Sequence, residues 1–216
     1  MEICRYIEHT LLKPDAAKED LKKLFDEAVQ QNFYGVCVNP VNVNFAREYL
    51  KNSGVKIVTV CGFPLGANTS EVKAFEAQKA IADGADEVDM VINISALKNA
   101  EYDIVENDIK TVKKACGEHI LKVIIETDLL TNEEIKKACE LAVSAGADFV
   151  KTSTGFVKDG VGAKPEDVEL MYKTVSPFGL RVKASGGVRD IEKAKAVIEK
   201  GASRIGTSSS IKIIEG

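Results

Sequence analysis

One phrase recurs along the chain: a polar helix end, a glycine, then a short apolar run. "ADGADEVDMVIN", "SAGADFVKTST" and "EKGASRIGTSS" carry it in full, and "KNSGVKIVTVCG", "ACGEHILKVIIET" and "PFGLRVKASGG" more loosely. The glycines are Gly54, Gly84, Gly117, Gly146, Gly179 and Gly201. A glycine just past a helix end supplies a left-handed stop, and a repeat of roughly thirty residues is the length of one βα unit. Between the runs, polar and apolar residues alternate with helical spacing. "SEVKAFEAQKAIADG" places Val72, Phe75, Ala80 and Ile81 along one predicted amphipathic helix. "TNEEIKKACELAVSAG" opens with Thr131 and Glu134 in capping-box spacing. "KPEDVELMYKTV" has Pro165 where a first helical turn accepts it, and "KEDLKKLFDEAVQQN" and "NPVNVNFAREYLKNSG" supply two further helices.

The apolar runs are "YIEHTL", "YGVCVN", "KIVTVCG", "EVDMVIN", "LKVIIET", "FVKTST", "LRVKAS" and "SRIGTS". Strands alternating with helices call for parallel pairing through right-handed crossovers. Eight such units predict a closed (β/α)8 TIM barrel of the α/β class, one compact domain over residues 1–216, with a short last helix in "SSSIKIIEG". An open doubly wound sheet is the alternative, but no G-x-G-x-x-G follows a first strand.

Composition narrows the function. With 45% hydrophobic residues among 216, a single large core is affordable. A net charge of −4 with both signs dispersed lacks the clustered basic excess of a nucleic-acid binder. "MEICRYIEHTLL" lacks the basic start and apolar run of a signal peptide, and no run is long enough for a membrane span, so a cytoplasmic protein is expected. The five cysteines, Cys4, Cys37, Cys61, Cys116 and Cys139, form no C-x-x-C pair and are expected to be free thiols. Two histidines, His9 and His119, exclude a three-histidine zinc site.

Parallel strands are ordinarily continuous apolar runs. Four are interrupted here, by Asp89, Lys122, Lys151 and Lys183. Side chains alternate across a strand. With Val88, Met90, Val150 and Val182 facing the helices, Asp89, Lys151 and Lys183 face the barrel axis, and the lysines stand toward the C-terminal mouth where barrel enzymes keep their chemistry. A single strand-end lysine ordinarily lays its stem on apolar surface with its ammonium in water, and Lys122, early in its strand, is expected to do that or to pair with a nearby carboxylate. Two inward lysines and an aspartate form a positive excess that ion pairing alone does not require. A free lysine titrates near 10.4, so about 0.04% is amine at pH 7, and attack on a carbonyl needs the amine. A second ammonium about 6 Å away supplies about 2.8 kcal/mol toward deprotonation at an effective dielectric near 20. Such a pair has the composition of a Schiff-base lysine and its activator.

The loops after the seventh and eighth strands are "KASGGVR" and "RIGTSSS". Barrels commonly bind phosphate there. Gly186 and Gly187 let the backbone approach an anion, and Gly206, Ser208 and Ser209 supply amides and hydroxyls. Arg189 beside them would add charge, although an arginine opening a surface helix is ordinarily solvated.

These residues together resemble a known family. "VKTSTGF", "VKASGGVR", "EVDMVIN", "GTSS" and the early "HTLLKP", in that family's order over about residues 5–210, look like deoxyribose-phosphate aldolases. These are cofactor-free class I aldolases on a (β/α)8 barrel. The resemblance implies reversible cleavage of 2-deoxy-D-ribose 5-phosphate to acetaldehyde and D-glyceraldehyde 3-phosphate, in deoxyribonucleoside catabolism, with no cofactor or metal. By motif, Lys151 would form the imine, Lys183 would ease its deprotonation, and Asp89 with a water would move protons. Thr154 and Gly155, with Gly186, Gly187, Gly206, Ser208 and Ser209, would line the substrate and hold its phosphate. The resemblance also implies a homodimer or homotetramer. Glu8-His9-Thr10 departs from it, since members commonly read Asp-His-Thr.

The remaining candidates take ordinary readings. His9 is expected to be a hydrogen-bonded core histidine and His119 to be exposed. Cys37 and Cys61, near strand ends, are expected to be small buried hydrophobes. The charges of "EYDIVENDIKTVKKAC" are expected on a solvated face. Two other functions stay open on the residues alone: a sugar-phosphate isomerase using Asp89 and a lysine without an imine, and a silent barrel that only binds a phosphorylated ligand.

Overall fold

The computed structural model describes residues 2–216. Its strands are β1 (Ile7–Leu11), β2 (Gly35–Val38), β3 (Lys56–Cys61), β4 (Glu87–Val91), β5 (Ile120–Ile124), β6 (Phe149–Lys151), β7 (Arg181–Ser185) and β8 (Ala202–Thr207). They close a barrel in sequence order, every neighbour parallel. Closure is made by β1 on β8, with Ile7 opposite Ile205 and Glu8 opposite Gly206. The helices are α1 (Lys18–Gln30), α2 (Val43–Leu50), α3 (Ser70–Ala82), α4 (Ile94–Lys98), α5 (Tyr102–Cys116), α6 (Asn132–Ser144), α7 (Pro165–Val175), α8 (Ile191–Glu199) and α9 (Ser210–Glu215). The (β/α)8 barrel is therefore complete, with α4 as one extra turn before α5.

All six recurring glycines have positive φ. After α6, Gly146 N–H donates to Val143 O at 3.0 Å and Ala147 N–H to Ala142 O at 3.1 Å, a Schellman closure that needs a left-handed residue at Gly146. The predicted capping box at the other end of α6 is present: Thr131 N–H donates to Glu134 Oε2 at 2.8 Å and Glu134 N–H to Thr131 Oγ1 at 3.3 Å. Pro165 opens α7.

Two apolar regions result from the alternation. The outward side chains, among them Ile7, Val36, Ile57, Val88, Met90, Leu121, Val123, Val150, Val182 and Ile205, join the helices in one continuous core. Inside the barrel lie a small cluster, Cys37, Val58 and Val60 with Leu12 and Phe63 against it, and the Phe149 ring, which Lys122 and Arg204 face. Most of the interior is polar, whereas barrels usually fill it with branched aliphatics.

Several expectations are corrected. Helix α3 forms as predicted, but Val72 and Phe75 are 51% and 70% exposed. It turns Lys73, Ala77 and Ala80 inward instead. Lys73 is fully buried and its ammonium donates to Asp108 Oδ2 at 2.6 Å and Val91 O at 2.9 Å. The alanines allow close packing, and a paired lysine with a long apolar stem fills the space that an isoleucine would. By the same contact α5 carries a buried acid, so its charges do not all lie on a solvated face. β6 is only three residues long, and Thr152–Thr154 have left the strand. Lys183 sits at the middle of β7 and not late in it, directly opposite Lys151 at the end of the shorter β6. Lys122 is fully buried on the barrel axis; only the carboxylate-pairing half of its expectation holds.

Candidate active site

Strand alternation brings Glu8 from β1, Glu87 and Asp89 from β4, Lys122 from β5, Lys151 from β6, Lys183 from β7 and Arg204 from β8 into one charged column. Asp89 stands at its centre. Its Oδ2 accepts from Lys151 Nζ at 2.8 Å and from Lys183 Nζ at 2.6 Å. Its Oδ1 accepts from Lys122 Nζ at 2.9 Å. Lys183 also donates to Glu8 Oε2. Lys122 lies 2.5 Å from Glu87 Oε2 and 3.5 Å from Glu8 Oε1, and Arg204 Nε is 3.5 Å from that same Glu8 oxygen. Four cations thus face three carboxylates. The expected positive excess of one charge is kept, because Glu8 and Glu87 offset the two further cations, Lys122 and Arg204.

Burying ions unpaired costs several kcal/mol each, so pairing on this scale is what lets the column exist. Burial pushes the Asp89 carboxyl up, but the ammonium groups of Lys122, Lys151 and Lys183 outweigh it and hold Asp89 well below the carboxylate range. Burial disfavours the Lys183 ammonium, yet Asp89 and Glu8 raise its pKa overall. Lys183 is therefore a permanent cation at neutral pH, two hydrogen bonds from Lys151. Gly206 makes room for it: a Cβ there would lie 2.9 Å from Lys183 Cε.

Above the column lies a cavity of about 300 Å³ at the C-terminal mouth. Of the predicted residues, Lys151, Thr154, Gly155, Gly186, Gly187, Gly206, Ser208 and Ser209 line it, while Asp89 and Lys183 do not and stand fully buried behind Lys151. Lys151 is thus the one acid–base group of the predicted set that meets the cavity. Gly187 has a second reason to be glycine, since a Cβ there would meet Val161 O at 2.1 Å. The β6–α7 loop crosses it that closely.

Sequence reasoning missed Lys13 and set Arg189 between added charge for the phosphate and an ordinary solvated arginine; Lys13 and the exposed Arg189 both line the same cavity beside the glycine and serine loops. "HTLLKP" held the signal for Lys13: a lysine two residues beyond the end of a barrel strand is at the mouth. It also missed Glu126, just after β5. Glu126 is buried with φ +61°, and its carboxylate accepts from Thr154 N–H at 3.2 Å and from Thr154 Oγ1. Burial raises its pKa. A left-handed glutamate has no sequence signature. His9 is a hydrogen-bonded core residue as expected, between Ser210 Oγ and Glu27 Oε2, each at 2.8 Å, and His119 is exposed. Cys37 and Cys61 are buried, with burial pushing the Cys37 thiol up to about 11 and Cys61 well above its ordinary value.

Residues 7–214 match the family model described as DeoC/LacD family aldolase. A deoxyribose-phosphate aldolase from Clostridium perfringens is 61% identical over 216 residues, covering 100% of this chain and 95% of that protein. The crystal structure of a putative deoxyribose-phosphate aldolase from Coccidioides immitis superposes with a TM-score of 0.96 at 41% identity, covering 99% of this chain and 85% of that one. The deoxyribose phosphate aldolase of Aeropyrum pernix, described as a tetramer, superposes with a TM-score of 0.88 at 36% identity over 99% and 89% of the two chains. With nearly its whole length matched and its barrel carrying the lysine–aspartate column, the chain belongs to the DeoC/LacD family of aldolases.

Proposed function

We propose that this aldolase cleaves 2-deoxy-D-ribose 5-phosphate reversibly through an imine on Lys151, as the deoxyribose-phosphate aldolase relatives are named for doing with their substrate. The observation that carries the reading is the position of Lys151. Its ammonium stands between the cavity and an aspartate oxygen that also holds a second, permanently charged lysine. Lys151 gives its proton to water on the cavity side, and the Lys183 cation disfavours its return. The free amine attacks the C1 aldehyde of the open-chain sugar, and loss of water leaves a protonated imine. The electrons of the C2–C3 bond then flow to the imine nitrogen while the C3 hydroxyl loses its proton, releasing D-glyceraldehyde 3-phosphate and an enamine. Protonation at C2 and hydrolysis return acetaldehyde and the amine. Asp89, bridging the two lysines, moves these protons with a water.

Gly186 and Gly187 on one side of the cavity and Ser208 and Ser209 on the other support a phosphate site, with Lys13 and Arg189 as its cationic neighbours. Thr154 and Gly155 border the reacting carbons. The tetrameric relative supports a homo-oligomer here, which light scattering on the purified chain tests. Among the described residues no helix is long and apolar enough to cross a membrane, in keeping with a cytoplasmic site of action.

The test is borohydride reduction in the presence of acetaldehyde, followed by peptide mapping. One reduced ethyl group on Lys151, lost in Lys151→Ala, is the expected result. An adduct on Lys183 would reverse the two roles, and no selective adduct would sink the mechanism.

A further inference from the structure

The chemistry above uses Asp89, Lys151 and Lys183, but the charged column continues away from the cavity. Lys122 holds the second oxygen of Asp89 and is itself 2.5 Å from Glu87 Oε2. Glu87 precedes Asp89 by two residues on β4, so it shares the inward face one layer deeper. It is buried and does not line the cavity. Its other oxygen accepts from Tyr34 Oη, and the Arg204 guanidinium lies 3.3 Å from the centre of the Tyr34 ring. The titratable groups of this column are Glu8, Glu87, Asp89, Lys122, Lys151, Lys183 and Arg204, with Arg181 over the Phe149 ring that Lys122 and Arg204 also face, Glu126 near Lys151, and Lys13 and Arg189 on the cavity that Lys151 lines. Burial keeps the Tyr34 phenol at about 12 and the Cys37 thiol at about 11, so both are neutral at working pH.

Asp89 has two oxygens and three ammonium partners. Whether it serves the mouth depends on how strongly Lys122 draws on it, and Glu87 is the nearest group competing for Lys122. We infer that Glu87 is a positioning residue for the imine-forming step: by neutralising Lys122 from the side remote from the cavity, it leaves Asp89 to Lys151 and Lys183 and sets the pH at which the reacting amine becomes free. This inference rests on the reading of Lys151 as the imine lysine. Removing the Glu87 charge makes the column more positive and gives Lys122 wholly to Asp89 and Glu8. Both effects disfavour an ammonium at the mouth. At an effective dielectric near 20, one unit charge in the next layer of the column shifts a titration by on the order of one pH unit.

The experiment measures kcat/KM for cleavage of 2-deoxyribose 5-phosphate, and borohydride-trapped ethyl adduct from acetaldehyde, across pH, together with Tm. Glu87→Gln is expected to move the acid limb of both profiles about one unit lower. Lys122→Met, which removes a cation, moves it higher by a similar amount, Glu87→Asp restores the parent limb, and the double variant Glu87→Gln/Lys122→Met returns close to it. A fall in activity and Tm with the limb unmoved in both single variants would make Glu87 merely structural and overturn the inference, as would shifts of the same sign. If Glu87→Gln alone does not fold, the double variant compared with Lys122→Met decides: a limb lower in the double variant supports the role of Glu87, and an identical limb overturns it. Absence of any Lys151 adduct in the parent enzyme at every pH is a separate outcome: it removes the imine reading itself, whereas an adduct with an unmoved limb removes only the role of Glu87.

Discussion

The two faces of the same eight strands are built on opposite principles. Leu121 and Lys122 are neighbours on β5 and both are fully buried. Leu121 joins the hydrocarbon layer between sheet and helices, which is stabilised by area removed from water. Lys122 enters a column in which each charge is tolerated only because another is beside it. The outer layer therefore carries the stability of the barrel. The interior gives up the aliphatic filling that other barrels use and gains groups whose protonation can be tuned. Function here occupies the space where packing would otherwise add stability.

That contrast can be broken most directly at Lys151. Lys151→Ala is expected to lower kcat by about 10⁴-fold or more while Tm stays level or rises, since a buried ammonium is removed. Retention of a tenth of the activity in a folded variant would break it. Asp89→Asn attacks the centre of the column and leaves three ammonium groups short of their common anion, a loss of about 3–5 kcal/mol of stability together with most activity. Because the folded-state pKa of Asp89 lies well below its ordinary 3.8, its contribution is fully present above about pH 4 and is lost as pH falls below that value. Denaturation profiles should therefore be flatter on the acid side for Asp89→Asn than for the parent. Lys183, shifted upward from 10.5, contributes with the opposite sign and is lost only as pH rises past that value.

Leu121→Ala sharpens the comparison from the other face. It should cost about 2–5 kcal/mol in chemical denaturation while kcat at moderate temperature changes no more than a few-fold. Loss of the borohydride-trapped adduct in a folded Leu121→Ala protein would show that the two faces are not separable. The smallest effect concerns thiols. Burial holds Cys37 and Cys116 at about 11 and raises Cys61 and Cys139, so Ellman's reagent at pH 8 should label only the partly exposed Cys4 in the native protein and all five thiols on unfolding.

Much of this molecule was legible from local pattern. The glycine after each helix needs a backbone conformation that few other residues adopt, so the recurring phrase located the strands. Alternation by two then turned Asp89, Lys151 and Lys183 inward without further information. What escaped depends on partners distant in sequence. Phe75 looked like a core residue because helical spacing says which residues share a face but not which face is buried; Lys73 decides that through Asp108, thirty-five residues away. Lys122 looked like a surface lysine because its counter-ions, Glu8, Glu87 and Asp89, come from two other strands. Glu126 is recognisable only by its left-handed backbone and its grip on Thr154.

By itself the sequence determined the (β/α)8 architecture, the inward set of Asp89, Lys151 and Lys183, and the two glycine and serine loops, because these follow from backbone permissiveness and strand periodicity, which are local. Only the tertiary structure decided the charge balance of the column, the exclusion of Lys183 from the cavity that Lys151 lines, and the entry of Lys13 and Arg189 into the cavity. Those depend on the through-space distance between groups on different strands, and electrostatic energy falls with that distance whatever the separation along the chain.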